Sequence, residues 1–180
     1  MKIFIDLDGT YVAFFESLAK DFGVDISAHP QFVDLNGFAT AANTDLDTVL
    51  QHINDRGTSF WEELETFPWS DRLYDLCWRF GEVAFLTCPA TFEHAPAGKA
   101  KWFRKKFGPD FRGWMLASCK YMCAGPDAVL IDDNPGNCKA FAQFGGESIL
   151  FEWKGSDDPI PEIERRLIVK QVELLSKSNE

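Results

Sequence analysis

Met1-Lys2-Ile3-Phe4-Ile5-Asp6-Leu7-Asp8-Gly9-Thr10 opens the chain with a short apolar run that ends in acids. A run of this length, from Ile3 to Leu7, reads as a buried strand whose carboxyl edge carries charge. Asp6 and Asp8 stand two apart, so in an extended backbone their side chains project the same way. Gly9 permits a sharp turn, and Thr10 can cap the helix after it. Open parallel sheets bind ligands at the carboxyl ends of their strands, so chemistry is expected at these acids. Taken alone, Asp-x-Asp also fits a loop with helix-capping duties.

Similar runs recur downstream, at Val83 to Thr87, Trp114 to Ala117, Ala128 to Ile131 and Ser148 to Phe151. Helical patterns separate them. Leu73, Leu76, Cys77 and Phe80 recur at helix spacing, with Ser70 as N-cap and Gly81 as stop. Lys99 to Phe107 is a basic helix closed by Gly108-Pro109, and Pro135 opens a helix running to Gly145-Gly146. Strand and helix in alternation predict an α/β fold, a Rossmann-like parallel sheet with helices on both faces.

The alternation fails between the first two strands. Phe14, Phe15, Leu18, Ala19 and Phe22 form one helical stripe ended by Gly23. Leu46, Val49, Leu50 and Ile53 form another behind a Thr44-x-x-Asp47 cap. This predicts a small helical cap over 14–69, inserted into a core made of 1–13 and 70–155. The tail, 156–180, contains an amphipathic helix from Pro161 to Ser176 (Ile163, Leu167, Ile168, Val172, Leu175), expected to pack on the core rather than meet a partner.

The fourth strand also runs into acids, Asp132-Asp133, followed by Asn134-Pro135. Four carboxylates converging on one edge would repel unless a hard cation sits among them, and an oxygen-only set with room for water suits Mg²⁺. The second strand ends in Thr87-Cys88-Pro89, which brings a hydroxyl to the same edge, and Lys120 follows the third strand as a cation able to hold a phosphoryl group. A strand threonine and a loop lysine are each common without function. Their joint occurrence with the two acid pairs favours a functional reading of this edge.

In 180 residues the composition is 46% hydrophobic and 14% aromatic, which excludes general disorder. The formal net charge of -10 argues against a nucleic acid polymer or an anionic membrane as partner. A small anionic substrate remains open if a metal and placed lysines overcome the field locally. Without an apolar leader or a membrane-length run, a cytoplasmic protein is expected. The five cysteines, Cys77, Cys88, Cys119, Cys123 and Cys138, are expected to be reduced and mostly buried. A homodimer stays open.

The strand-borne Asp6-Leu7-Asp8-Gly9-Thr10, the strand ending in Thr87, the downstream Lys120 and the strand ending in Asp132-Asp133 occur in one order. This order resembles the haloacid dehalogenase superfamily of phosphatases. A narrower similarity is to the 5'(3')-deoxyribonucleotidases, carried by Phe60-Trp61-Glu62-Glu63-Leu64, Phe67-Pro68-Trp69, and the run from Gly98-Lys99 to Gly108-Pro109-Asp110-Phe111. Thr87-Cys88-Pro89 stands where that family usually has Thr-Ser-Pro.

The resemblance implies a Mg²⁺-dependent phosphomonoesterase for (deoxy)ribonucleoside monophosphates that works through an aspartyl-phosphate. Asp6 would be the nucleophile, Asp8 the general acid and base, Thr87 a hydroxyl donor to the phosphoryl group, and Lys120 a bridge between that group and Asp6. Metal ligands would come from Asp6, Asp8 (through its backbone carbonyl) and Asp133, with Asp132 a ligand or an outer acceptor. Lys99 matches a family lysine near phosphate. With Cys88, Phe14 and Trp61 it completes the substrate-binding set, while Phe14, Phe38 and Trp61 are candidates to stack on a base.

Two departures stand out. Thr10-Tyr11-Val12-Ala13-Phe14 replaces the Val-Leu-Ala-Asp that often follows Asp-Gly, and Ala117-Ser118-Cys119-Lys120 keeps only the lysine of the usual Thr-Arg-Asp-Lys. Two alternatives remain beside the nucleotidase: a phosphatase for a sugar phosphate or a nucleic acid 3' phosphate, and a non-catalytic binding protein of the same fold.

Overall fold

The computed structural model describes residues 1–25, 34–152 and 158–177. Five strands form one parallel sheet: β1 (Lys2–Ile5), β2 (Glu82–Thr87), β3 (Trp114–Leu116), β4 (Ala128–Asp132) and β5 (Glu147–Leu150), in the order β3-β2-β1-β4-β5. The sheet is parallel and covered on both faces because its strands are near-continuous apolar runs. Alternate residues divide between the faces. Ile3, Ile5, Val83, Phe85, Val129 and Ile131 belong to the larger core, and Phe4, Leu86, Leu130 and Phe141 to a smaller one.

Among the described residues, four helices lie between β1 and the helix that leads into β2. They are α1 (Phe14–Phe22), α2 (Leu35–Ala41), α3 (Leu46–Arg56) and α4 (Thr58–Glu62), followed by α5 (Ser70–Phe80). Gly23 takes a left-handed conformation at φ 66 and stops α1 as expected. The buried residues of these helices join the larger core through Phe14, Leu18, Phe38, Val49, Ile53 and Trp61, so the inserted segment and the sheet share one apolar interior.

Two helix starts differ from expectation. The cap of α3 is Asp45, whose carboxylate accepts from Thr48 N at 2.7 Å, rather than the Thr44-x-x-Asp47 pair. Ser70 is the first residue of α5 and not its cap; its hydroxyl turns inward and donates to Tyr11 O at 2.6 Å. α5 thus starts without a side-chain cap, because the Ser70 hydroxyl is engaged by Tyr11 O.

The remaining helices are α6 (Ala95–Phe107), α7 (Pro135–Gln143) and α8 (Ile160–Lys177). α6 begins four residues before the expected Lys99, with Pro96 in its first turn. α7 starts on Pro135 as expected and ends two residues short of Gly145. α8 packs against α5 and β5 through Ile160, Ile163 and Leu167. The expected apolar stripe divides, since Ile168, Val172 and Leu175 are exposed. The boundary expected at 155 and 156 falls outside the described residues. No helix among the described residues is long and apolar enough to cross a membrane.

All five cysteines are free thiols. Only Cys77 and Cys138 are fully buried, which corrects the expectation that most would be. Cys88 and Cys123 are half-buried and Cys119 is exposed, because three of the five lie on connections at the sheet edge.

Candidate active site

The strand order reverses direction between β1 and β4, whose carboxyl ends lie side by side. Such a switch point opens a crevice in a doubly wound sheet. Asp6 follows β1 directly and continues the pairing, its amide donating to Ile131 O at 2.9 Å. Asp132 ends β4 and Asp133 comes next. Carboxylate oxygens of Asp6, Asp132 and Asp133 lie within 4.8 Å of one another.

Lys120 is held in a 3₁₀ turn over Lys120–Cys123 that packs on α7, and it reaches this cluster from the β3 side. Its ammonium donates to Asp6 Oδ1 at 2.5 Å and to Asp132 Oδ2 at 2.6 Å. Burial opposes its charge, but Asp6 and Asp132 outweigh burial and hold it above the ordinary lysine range. Asp132 is pushed up to about 6, first by burial and next by the charge of Asp6, although Lys120 pulls the other way. Both groups are shifted upward for one reason: a single ammonium satisfies itself among several carboxylates without neutralising them all. Asp133 is raised well above the usual carboxylate range, again by burial first and then by Asp6 and Asp132.

Asp132 is saturated with donors. Besides Lys120, it accepts from Asn134 N at 2.8 Å and from Asn137 Nδ2 at 3.1 and 3.2 Å. Asp133 is placed from the opposite side by Thr10, whose hydroxyl accepts from Asp133 N at 3.1 Å. Gly9, at φ +80, passes so close that a Cβ there would come within 2.3 Å of Asp133 Oδ2. Thr10 therefore ties the two acidic segments together instead of capping the next helix. Asn137 was not among the expected site residues; its place three residues after the Asn134 cap, in the first turn of α7, is the signal for it.

Asp8 departs from the expected convergence of four carboxylates. The strand ends at Ile5, so the two-residue rule no longer aligns its side chain with Asp6. Its Oδ2 accepts from Lys99, and its Oδ1 is buried with no hydrogen-bond partner. Burial raises its carboxyl, Lys99 opposes the shift and Asp6 adds to it.

Lys99 lies in α6, wholly buried, and also donates to Thr87 Oγ1 at 3.0 Å and to Cys88 O at 2.6 Å. Cys88 thus contributes its carbonyl to this side of the crevice. The Trp61 ring lies 5.0 Å from the same ammonium, within cation–π range, and Phe14 is 5.7 Å from Trp61. Phe38 sits elsewhere: it is fully buried beside Phe15 and Phe22 in the inserted helices, which is the core role of a helical stripe.

The donor set formed by Asp6, Asp132 and Asp133 fits a hard divalent cation. It is made of oxygen alone, and three carboxylates facing one ammonium leave a deficit of two positive charges.

No protein-family model matches the sequence, and no curated protein matches it. Solved structures do match in shape. A hydrolase from Streptococcus pneumoniae TIGR4 superposes with a TM-score of 0.58 at 13% identity, covering 92% of this chain and 97% of its own. A haloacid dehalogenase family hydrolase from Deinococcus radiodurans R1, with bound phosphate and sodium, gives 0.53 at 12% identity over 92% and 87%. A dehalogenase with an intermediate complex gives 0.52 at 13% identity over 87% and 86%. At these identities the likeness shows the fold alone: the chain shares the α/β architecture of these solved structures, with its acids at the switch point of the sheet.

Proposed function

We propose that the chain is a Mg²⁺-dependent phosphomonoesterase acting on nucleoside monophosphates through an aspartyl-phosphate on Asp6. The observation that carries this reading is the shared lysine. Lys120 holds Asp6 by one oxygen beside two further carboxylates, while Lys99 and Thr87 converge on the other side of the same edge. Phosphoryl transfer needs little from a protein beyond such positioning and charge. The Deinococcus hydrolase of the same fold carries bound phosphate, which agrees with this chemistry.

Asp6 and Asp133 would hold the metal by side chains, with the Asp8 carbonyl. Asp132, already occupied by Lys120, Asn134 and Asn137, would orient the set. Mg²⁺ there supplies positive charge against the phosphoryl oxygens. With Oδ1 held by Lys120, the other Asp6 oxygen attacks phosphorus. The ester P–O bond breaks, and Asp8 gives its proton to the departing alcohol oxygen. A water molecule then attacks the aspartyl-phosphate, Asp8 takes its proton, and the P–O bond to Asp6 breaks to release orthophosphate. Thr87 and Lys99 hold phosphoryl oxygens throughout. The cap over 14–69 would close on the substrate and exclude water, and Phe14 with Trp61 would border its alcohol portion.

Phosphate release from a panel of nucleotides, sugar phosphates and simple aryl phosphates tests this reading. Activity should require Mg²⁺ and fall by at least about a thousandfold in Asp6→Asn, which keeps size and removes the nucleophile. Turnover retained in a folded Asp6→Asn protein would sink the mechanism.

A further inference from the structure

Among the described residues, two that are not glycine take a positive φ: Asn43 at φ 52 and Ala90 at φ 60. Asparagine is common in that left-handed region, whereas alanine gains no side-chain hydrogen bond there and its Cβ is crowded. Asn43 follows α2. Ala90 lies in the loop from β2 to α6, two residues beyond Cys88. Strain that the surrounding structure holds in place is a pointer to function.

The neighbouring sequence explains the geometry. Pro89 fixes its own φ and keeps Cys88 extended. Proline followed by a left-handed residue is the pattern of a type II turn, which ordinarily has glycine in the second of these places. In a closed turn of this kind the Cys88 carbonyl would accept from the Thr91 amide. Here it accepts from Lys99 Nζ at 2.6 Å. The loop is anchored beyond the turn by Phe92, buried with its ring centre 5.6 Å from that of Trp61, and Ala90 itself packs on the larger core.

An ammonium has three N–H donors. Those of Lys99 go to Asp8 Oδ2, to Thr87 Oγ1 at 3.0 Å and to Cys88 O. Thr87 is fixed by its strand and Asp8 by the turn after β1, so the Cys88 bond is the one that depends on the loop. We infer that Ala90 is a positioning residue: its left-handed backbone turns the Cys88 carbonyl onto Lys99 and so fixes where that ammonium stands beside the phosphoryl group. The inference rests on the phosphatase reading above. Alanine serves here in place of glycine because its methyl group, packed on the core, restricts the loop to one conformation.

Three variants test this with the fastest ester of the panel above and with inorganic phosphate as inhibitor. Ala90→Gly reaches the same φ without steric cost, so kcat/KM and the phosphate inhibition constant should stay within about twofold of wild type. Ala90→Val cannot hold a positive φ, and the bond from Lys99 to Cys88 O is lost. Its kcat/KM should fall and its phosphate inhibition constant rise, each by about tenfold, as expected for one hydrogen bond to a charged group. Added to Lys99→Met, the valine substitution should change neither quantity further, because the group it acts through is gone.

A loop with a merely structural role gives another result: Ala90→Val lowers Tm, but both quantities measured well below Tm match wild type. That outcome overturns the inference alone, as does an equal loss in Ala90→Gly or an undiminished valine effect beside Lys99→Met. No release from any ester by the wild type overturns the phosphatase reading and the inference with it. Should Ala90→Val fail to fold, wild-type crystals soaked with Mg²⁺ and beryllofluoride decide the matter. Ala90 at positive φ with Lys99 bonded to Cys88 O supports the inference, and the absence of either overturns it.

Discussion

Lys120 and Lys99 are both buried ammonium groups bonded to acids of one motif, yet their settings are opposite. Around Lys120 the charges are crowded and the bonds complete: Asp132 takes donors on both oxygens, and Asp6 and Asp133 stand beside it. Around Lys99 there is one carboxylate, with a 23% exposed side chain, an unpaired oxygen and an unpaired indole N–H. A saturated pole has one arrangement and suits the part of the reaction that never changes, the phosphoryl group and its metal. On the proposed reading the Lys99 pole also meets the phosphoryl oxygens through Lys99 and Thr87, and the unpaired Asp8 Oδ1 lies on the side of the departing alcohol, the part that differs between substrates.

Replacing each lysine by methionine is the strongest way to break this comparison. Lys120→Met strands Asp6 and Asp132 in a buried site, so stability should fall by about 3–5 kcal/mol and activity by a thousandfold or so. Lys99→Met leaves Asp8 partly open to water, which softens the penalty. Its stability loss should be smaller, and its loss of activity nearer a hundredfold. Denaturant titration and phosphate release measure both. A Lys99→Met protein that unfolds more readily than Lys120→Met would reverse the assignment of the two poles.

Much of the saturated pole was legible in the sequence, because it is built where regular structure ends. Asp6 and Asp132 each close or follow an apolar run, as Thr87 does in the other pole, and strand-end residues in a parallel sheet must share an edge. The open pole was harder to read. The expected alignment of Asp8 with Asp6 assumes that the strand continues, but it stops at Ile5 and Gly9 turns the chain at φ +80. Spacing alone leaves Lys99 as one charge on a basic helix; the resemblance singles it out as a lysine near phosphate, and burial against Thr87 and Cys88 separates it from Lys101 or Lys105. The exposed side of α8 was misread for a similar reason: helical spacing finds an apolar stripe, but not how much of its length the core reaches.

The saturated pole carries a pH signature of its own. In the metal-free protein, Asp132 moves from its ordinary 3.8 to about 6, so the folded state holds this proton more tightly than the unfolded state. Stability should then fall as pH rises from about 4 to 6 and level off above, a loss on the order of 3 kcal/mol from this group. Asp133, also raised, acts in the same direction. Surface acids such as Asp71 are lowered and act in the opposite sense, so the quantity to measure is the difference between wild type and Asp132→Asn. That difference should slope downward with pH without Mg²⁺ and flatten when Mg²⁺ is added. Lys120, held above its ordinary value, adds its stability at every pH below the ordinary lysine range and loses it only in strong alkali. A flat difference without metal would mean that the acids share their charge more evenly than the geometry implies.

The smallest effect tests whether the open pole depends on the core beneath it. Tyr11 comes after the turn that presents Asp8 and is fully buried, and its hydroxyl donates to Asp71 at 3.0 Å. Burial first, and then this hydrogen bond, push the phenol above its ordinary range, so it stays a donor at any working pH. Tyr11→Phe keeps the ring contacts with Phe85 and Trp102 and removes one hydrogen bond. The expected loss is about 1 kcal/mol, or a Tm lower by about 2–4 °C. Because the Tyr11 and Val12 amides both bond to Leu7 O and Val12 bridges to Thr66, the backbone around Asp8 is braced without the hydroxyl. Activity should therefore stay within about twofold of wild type. A fall in kcat well beyond what the Tm accounts for would mean that the Asp8 side of the crevice is positioned by this distant contact and not by Lys99.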